Sequence, residues 1–183
     1  MAVLKRTLLG IAASVLAGAA VSAAPVYSSR EEALARAFSP PATIERKTHF
    51  LTDAQRGRAS RVARAKIDSS LVVAYVGRTA KGVLGTAYFD THIVRTMPET
   101  LLVVVRPDGT LGGIEVVAFG EPEDYLPRRR WLTLFPGRRL DPDLAVGRGL
   151  AHVTGATLTT RSIADAARRV LAIHAVIFEG TPK

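Results

Sequence analysis

The chain has 183 residues, 48% of them hydrophobic and 22% charged. It contains no cysteine, which excludes disulfides, lipoprotein attachment, Cys-ligated metal and c-type haem. The formal net charge of +9 points to an anionic partner or to a solvated basic surface.

Residues 1–24 read as a signal segment that precedes the domain. Lys5 and Arg6 form a short basic start, Thr7 to Val21 is an uncharged Ala-rich run, and Val21-Ser22-Ala23 gives the small-residue pattern for cleavage before Ala24. The apolar run is shorter than the roughly 20 residues that span a bilayer, so secretion is expected, with an uncleaved anchor as the alternative. Loss of this segment removes Lys5 and Arg6 and no acid, taking the formal charge from +9 to +7. An exported basic chain meets an anionic membrane surface or an acidic redox partner rather than nucleic acid. What remains, about 160 residues, suits one domain with a sizeable core.

Residues 25–67 read as an N-terminal helical segment. Ser29 can cap a helix running to Phe38, with Glu31 and Glu32 in its first turn, and Ser39-Pro40-Pro41 stops it. After a short extended piece, Thr52 can cap a second helix from Asp53 to about Lys66. That helix carries Arg56, Arg58, Arg61 and Arg64 and few large apolar residues, which predicts a surface helix, solvated or set against a partner.

From Ser70 the pattern becomes that of strands: Leu71–Val76, Val83–Phe89, Leu101–Val105, and Gly112–Phe119 after a Pro107-Asp108-Gly109 turn. Gly85 marks a place of close backbone approach. The expected class is α+β, a mostly antiparallel sheet of about four strands with flanking helices. Between the second and third strands, residues 90–100 hold a His, an Arg, two acids and three Thr. Such density between core strands often lines a site. His92 and Arg95 are therefore candidates, Arg95 because guanidinium suits phosphate geometry; for His92 a satisfied loop histidine is the competing reading. Pro127 to Phe135 predicts a helix with Pro127 in its first turn. It carries Trp131, the only tryptophan, either core or a flat face for a ring. Residues 138–149 read as loop.

The last part of the chain is the most informative. Thr154-Gly155-Ala156-Thr157-Leu158-Thr159-Thr160 sets small residues between hydroxyls and leads into an apolar stripe of Ile163, Ala167, Val170, Leu171, His174 and Ile177 at helical spacing. Arg161, Asp165, Arg168 and Arg169 fall mostly off that stripe. Thr160 is the expected N-cap, with Ser162 and Asp165 a rival capping pair. A helix start with unpaired N–H groups and adjoining hydroxyls is a place for a phosphate; a plain loop and cap is the alternative.

Thr154-Gly155-Ala156-Thr157 resembles the Ser/Thr-Gly-Ala-Thr motif of the FMN-binding domain family, which includes the flavin-carrying extracytoplasmic subunits of the sodium-pumping NADH:quinone reductase and of the Rnf complex. The resemblance covers roughly residues 68–180, and only the motif with its helix is specific. It implies FMN joined by a phosphoester to Thr157, a bond made by a separate flavin transferase from FAD. Thr154, Gly155, Ala156, Thr159 and Thr160 then flank the phosphate. His92, Arg95 and Trp131 are candidates for the flavin, and Glu121, with Pro122, stands where the family has a Glu-Thr-Pro-Gly turn. Family members often carry Asp six residues before the modified Thr; this chain has Ala151, followed by His152. The sequence has no Ser/His/Asp or Cys/His arrangement to activate Thr157, no ligand spacing among its four His, and no substrate acid–base pair. The expected role is an exported, membrane-associated flavoprotein of electron transport, a carrier rather than a stand-alone enzyme. A non-redox periplasmic binding or interaction protein with an unmodified pocket is the alternative, and a small reductase with loosely held FMN is a third reading.

Overall fold

Residues 25–178 are described by the computed structural model; the expected signal segment, residues 1–24, lies outside them. The elements run α1 (Arg30–Ala37), β1 (Thr43–Phe50), α2 (Asp53–Ala63), β2 (Leu71–Thr79), β3 (Gly82–Ile93), β4 (Pro98–Val105), β5 (Leu111–Phe119), a single 3-10 turn (Glu123–Tyr125), α3 (Arg129–Leu132) and α4 (Thr157–Phe178). The five strands form one antiparallel sheet in the order of the chain. This is the α+β architecture that the strand patterns imply, with a fifth strand added.

The added strand is β1, which falls in the segment read as helical with a short extended piece. Its sequence, TIERKTHF, leaves both faces mostly exposed, because it is an outer strand paired only with β2, from Thr43↔Arg78 to Phe50↔Leu71. Charged side chains are what protect such an edge, and they also blur the alternation that reveals a strand. β3 and β4 run further than their apolar cores suggest. They meet at a short turn, so most of residues 90–100 is strand, with His92 opposite Glu99 and Ile93 opposite Pro98.

α2 and α4 cover one face of the sheet. Leu101, Val103, Val105 and Leu111 from the strands meet Ile163, Ala167, Val170 and Leu171 from α4, and Ala59 and Ala63 from α2 complete the same cluster. The Arg-rich α2 is thus docked through small side chains, not only solvated. Both α1 and α2 start with full capping boxes, Ser29 with Glu32 and Thr52 with Gln55, which satisfy first-turn amides locally. α1 covers part of the opposite face, where Ala33, Leu34 and Phe38 pack on Tyr75, Ala87 and Leu102. Two glycines make that packing possible. A Cβ at Gly77 would run into the Phe38 ring, and one at Gly85 would lie 2.8 Å from the Val105 carbonyl oxygen.

One charged residue contradicts its expected outward position. Arg168 is buried in the α2–α4 contact, where Nε donates to Ala63 O at 2.7 Å and Nη1 to Asp141 O at 2.7 Å, with longer bonds to Val62 O and Leu144 O. It caps the C-terminal carbonyls of α2, where a cation is favoured. None of the helices among the described residues is long and apolar enough to cross a membrane.

Candidate functional site

The site is organised by the start of α4. Ala156 N–H donates to Val153 O at 3.2 Å, and Gly155 between them has φ +84°, a left-handed conformation that glycine adopts without penalty. Nothing stands within 4 Å of where a Gly155 Cβ would be, so this glycine is needed for its backbone angle rather than for close approach. The turn lets the helix begin at Thr157, three residues before the expected cap. The Ala156 carbonyl accepts the first helical bond from Thr160 N–H at 2.9 Å. Thr160 is therefore not the cap. Its hydroxyl is spent inside the first turn, on Ala156 O at 3.0 Å and Thr157 O at 3.1 Å, and both Thr159 and Thr160 are buried. Unlike the caps of α1 and α2, Ala156 has no side-chain acceptor, which leaves the leading amides of α4 for another acceptor.

Thr157 is half-buried. Its hydroxyl makes one long hydrogen bond, 3.5 Å to Val153 O, and Thr154 and Gly155 beside it are exposed. Against this turn lies a hollow of about 570 Å³, lined on one side by Ala151 to Thr154 and Ala156 and on the other by Asp124, Leu126, Arg128, Arg130, Trp131 and Leu134. That volume falls inside the roughly 300–1,000 Å³ of small-molecule sites. Trp131 is a wall of this hollow rather than a loose cover. It is buried, its indole N–H donates to Ala151 O at 2.8 Å, and its ring meets Phe135 edge-on with centroids 5.1 Å apart. The expected helix around it shortens to Arg129–Leu132. Arg128 and Arg130 supply the cationic lining, and His152 adds an imidazole.

Glu121, Arg95 and His92 sit at the β3–β4 turn, outside the hollow's lining. Glu121 serves that turn: one carboxylate oxygen accepts N–H bonds from Arg95 at 3.2 Å, Thr96 at 2.7 Å and Met97 at 2.9 Å, and these bonds hold its pKa below the usual carboxylate range. This is a turn-closing role and leaves that oxygen with no capacity for a ligand. The Arg95 guanidinium lies 4.9 Å over the Tyr125 ring, next in sequence to Asp124 in the hollow's wall. Arg95 thus borders the hollow at one remove.

His92 belongs to a largely shielded ionic group that also holds Asp90, Arg169 and the fully buried Glu99. Its Nδ1–H donates to Asp90 at 2.8 Å and its Nε2–H to Glu99 at 3.0 Å; with a carboxylate on each nitrogen, only the imidazolium satisfies both. Burial pulls the His92 pKa down, but the bonds to Asp90 and Glu99 outweigh it and hold it at about 8. Burial alone would raise Asp90, yet its bonds from His92 and Arg169 bring it to about 2. Glu99, fully buried and with Oε1 unpartnered, is pushed up by burial. Asp90 is therefore the carboxylate that keeps His92 charged. Sequence reading found the polar segment but not its partner Arg169, which lies 79 positions away from Asp90.

The structure thus brings Thr154, Ala156 and Trp131 into the lining of one hollow, with Gly155 and Thr157 adjoining it in sequence but outside that lining; it turns Thr159 and Thr160 inward and assigns Glu121 and His92 to structural bonds. Among the described residues no group of His, Asp or Glu is arranged to hold a metal ion. No protein-family model matches the chain, and no curated protein matches it.

Proposed function

We infer that this chain is an exported electron-transfer protein that carries FMN on Thr157, attached by a separate flavin transferase, and that it serves a membrane or periplasmic redox partner. One observation carries the reading: Thr157 is half-buried at the head of α4, directly after Ala156, which lines a hollow of about 570 Å³ with an aromatic wall, two arginines and an imidazole. The helix start favours an anion at that point, and Arg128 and Arg130 add charge of the same sense. Trp131 and Leu134 offer the apolar side that a flat ring needs. Bound there, FMN would supply one- and two-electron chemistry, while the chain supplies position and charge. The only hydrogen bond of the Thr157 hydroxyl is to a backbone carbonyl, so no base within the chain activates it among the described residues. That supports attachment by an external enzyme and a carrier role for the domain.

The test is co-expression with a flavin transferase, followed by intact mass and visible absorbance. Wild-type protein gains the mass of a phosphoester-linked FMN and the flavin bands, and Thr157→Ala gains neither. Covalent flavin retained on Thr157→Ala would overturn the assignment. A second reading, a non-redox binding or interaction protein, draws on a larger hollow that lies away from Thr157, along β5. A colourless protein of unmodified mass in the presence of an active transferase would select it.

A further inference from the structure

The outer edge of β5 is closed at both ends and open between them. At one end Leu111 N–H donates to Arg138 O at 2.8 Å and Leu111 O accepts from Gly137 N–H at 2.7 Å. At the other, Val117 O accepts from Tyr27 N–H at 2.8 Å, Phe119 N–H donates to Pro25 O at 3.1 Å, and Val26 bridges Ala118. From Gly112 to Val116 the strand has no backbone partner other than β4 among the described residues. An edge of this kind is a template for another strand, and five residues at ~3.4 Å each give it the length of a short one.

The open stretch is also the floor of a hollow of about 830 Å³, with the segment from Leu126 to Thr133 as its opposite wall. Leu126, Leu132 and Pro136 make that wall apolar. Gly113 presents no side chain, and nothing stands within 4 Å of where its Cβ would be, so the sheet face at that position is open. Of the charged groups around the hollow, Arg36 and Glu115 pair with each other and Glu123 accepts from the Tyr27 hydroxyl. Arg128 and Arg129 are exposed, and no ion pair to either is found among the described residues. Glu123 keeps its charge, so three arginines stand against two glutamates around the hollow, a net charge of +1, on a chain that is itself strongly basic.

We propose that this groove receives an extended segment of a partner protein, with alternate apolar and acidic side chains, as a sixth strand beside β5. Backbone bonds to Gly112–Val116 supply affinity, the apolar wall takes every second side chain, and Arg128 and Arg129 select acidic residues between them. Arg128 and Leu126 line this groove and the hollow beside Thr157 alike. The docked segment therefore lies one thin wall from the proposed cofactor site. The inference does not rest on the flavin reading, and flavin-free protein tests it.

The probe is a fluorescein-labelled Glu-Val-Glu-Val-Glu-Val-Glu peptide, titrated into the purified protein by anisotropy and followed by backbone hydrogen exchange. The peptide binds and slows exchange within residues 112–116. Replacing its Glu by Lys, or N-methylating alternate amides, weakens binding by at least about tenfold. Arg129→Glu combined with Thr133→Glu, both exposed positions, does the same without lowering the melting temperature. Absence of binding, or binding with exchange in residues 112–116 unchanged, overturns the proposal. So does protection of those amides before peptide is added: if it fades on dilution, a second copy of the chain fills the edge, and if it persists, the chain's own terminal residues do.

Discussion

The dependence of stability on pH tests the ionic reading of the β3–α4 contact, because two histidines pull in opposite directions. His92, held between Asp90 and Glu99, has its pKa raised from 6.5 to about 8. His174, partly buried with Nδ1 2.8 Å from the Tyr88 hydroxyl, has its pKa lowered from 6.5 to about 4 by desolvation. A raised folded-state pKa gives stability that is complete below the unfolded value and lost as pH rises through the folded one. At 1.36 kcal/mol per pKa unit, His92 contributes about 2 kcal/mol, lost between about pH 6.5 and 8.5. A depressed pKa works the other way. His174 contributes about 3 kcal/mol, complete above pH 6.5 and lost as pH falls towards 4. The expected profile is a dome with its top near pH 6.5, measured by urea unfolding at constant ionic strength. His92→Gln removes the alkaline limb while keeping the acid one. His174→Asn, which retains an acceptor for Tyr88, removes the loss between pH 6.5 and 4 and leaves the loss below it, to which Asp90 contributes. The side chains of His92 and Asp90 are each only 13% exposed, so moderate salt leaves the alkaline limb in place. A wild-type profile that is flat from pH 6.5 to 8.5, or an alkaline limb unchanged in His92→Gln, would refute the assignment of charge to His92.

Arg168→Leu removes two short charge-assisted bonds, at roughly 1.5–3 kcal/mol each, and should cost about 3–5 kcal/mol, seen as a melting temperature roughly 6–20 °C lower; Arg161→Leu, at an exposed position, should stay within about 0.5 kcal/mol of wild type. Gly85→Ala sets a methyl against the Val105 carbonyl oxygen, a backbone atom that cannot swing aside, and should cost roughly 1–3 kcal/mol in chemical unfolding. Glu121→Ala frees the amides of Arg95, Thr96 and Met97, so their hydrogen exchange should accelerate while that of Leu101–Val105 does not. Because those bonds depress the Glu121 pKa, wild-type protection of the same amides should be present above the usual carboxylate pKa and decline as pH falls below it.

What the sequence made legible depends on how far each residue's partner lies along the chain. Ser29 and Thr52 cap through bonds that span three residues, so both helix starts can be read directly. The central strands are equally plain, since Leu101, Val103 and Val105 repeat with period two on one buried face. β1 is hidden because an outer strand is free to be polar. The cap of α4 is misread for a local reason: Gly155 bends the chain early, and a threonine in a first turn can return its hydroxyl to a carbonyl instead of reaching forward. Arg168 falls among residues expected to face water because its acceptors, Ala63 O and Asp141 O, come from 105 and 27 positions away. Glu121 is legible as a residue that matters, but its three amide partners lie 24–26 positions back. Resemblance in position alone gave it a ligand role.

The polar residues on the inner face of β3 bear on the position of the site itself. Tyr88, Asp90 and His92 alternate along the strand on the side that faces α4, where apolar residues would be expected. Tyr88 meets His174 and Asp90 meets Arg169 through paired bonds of 2.6 and 3.1 Å. Apolar contacts tolerate a helix that slides along a sheet, since one leucine serves much like another. A two-pronged guanidinium–carboxylate bond does not, because moving one residue shifts the guanidinium by ~1.5 Å and rotates it by over a quarter turn. These pairs therefore fix where α4 lies along β3. Thr157 stands twelve residues before Arg169 on the same continuous helix, about 18 Å along its axis. The position of Thr157 along the sheet is thus set from a distance, by the pairs that α4 makes with β3, as well as locally by the turn at Gly155.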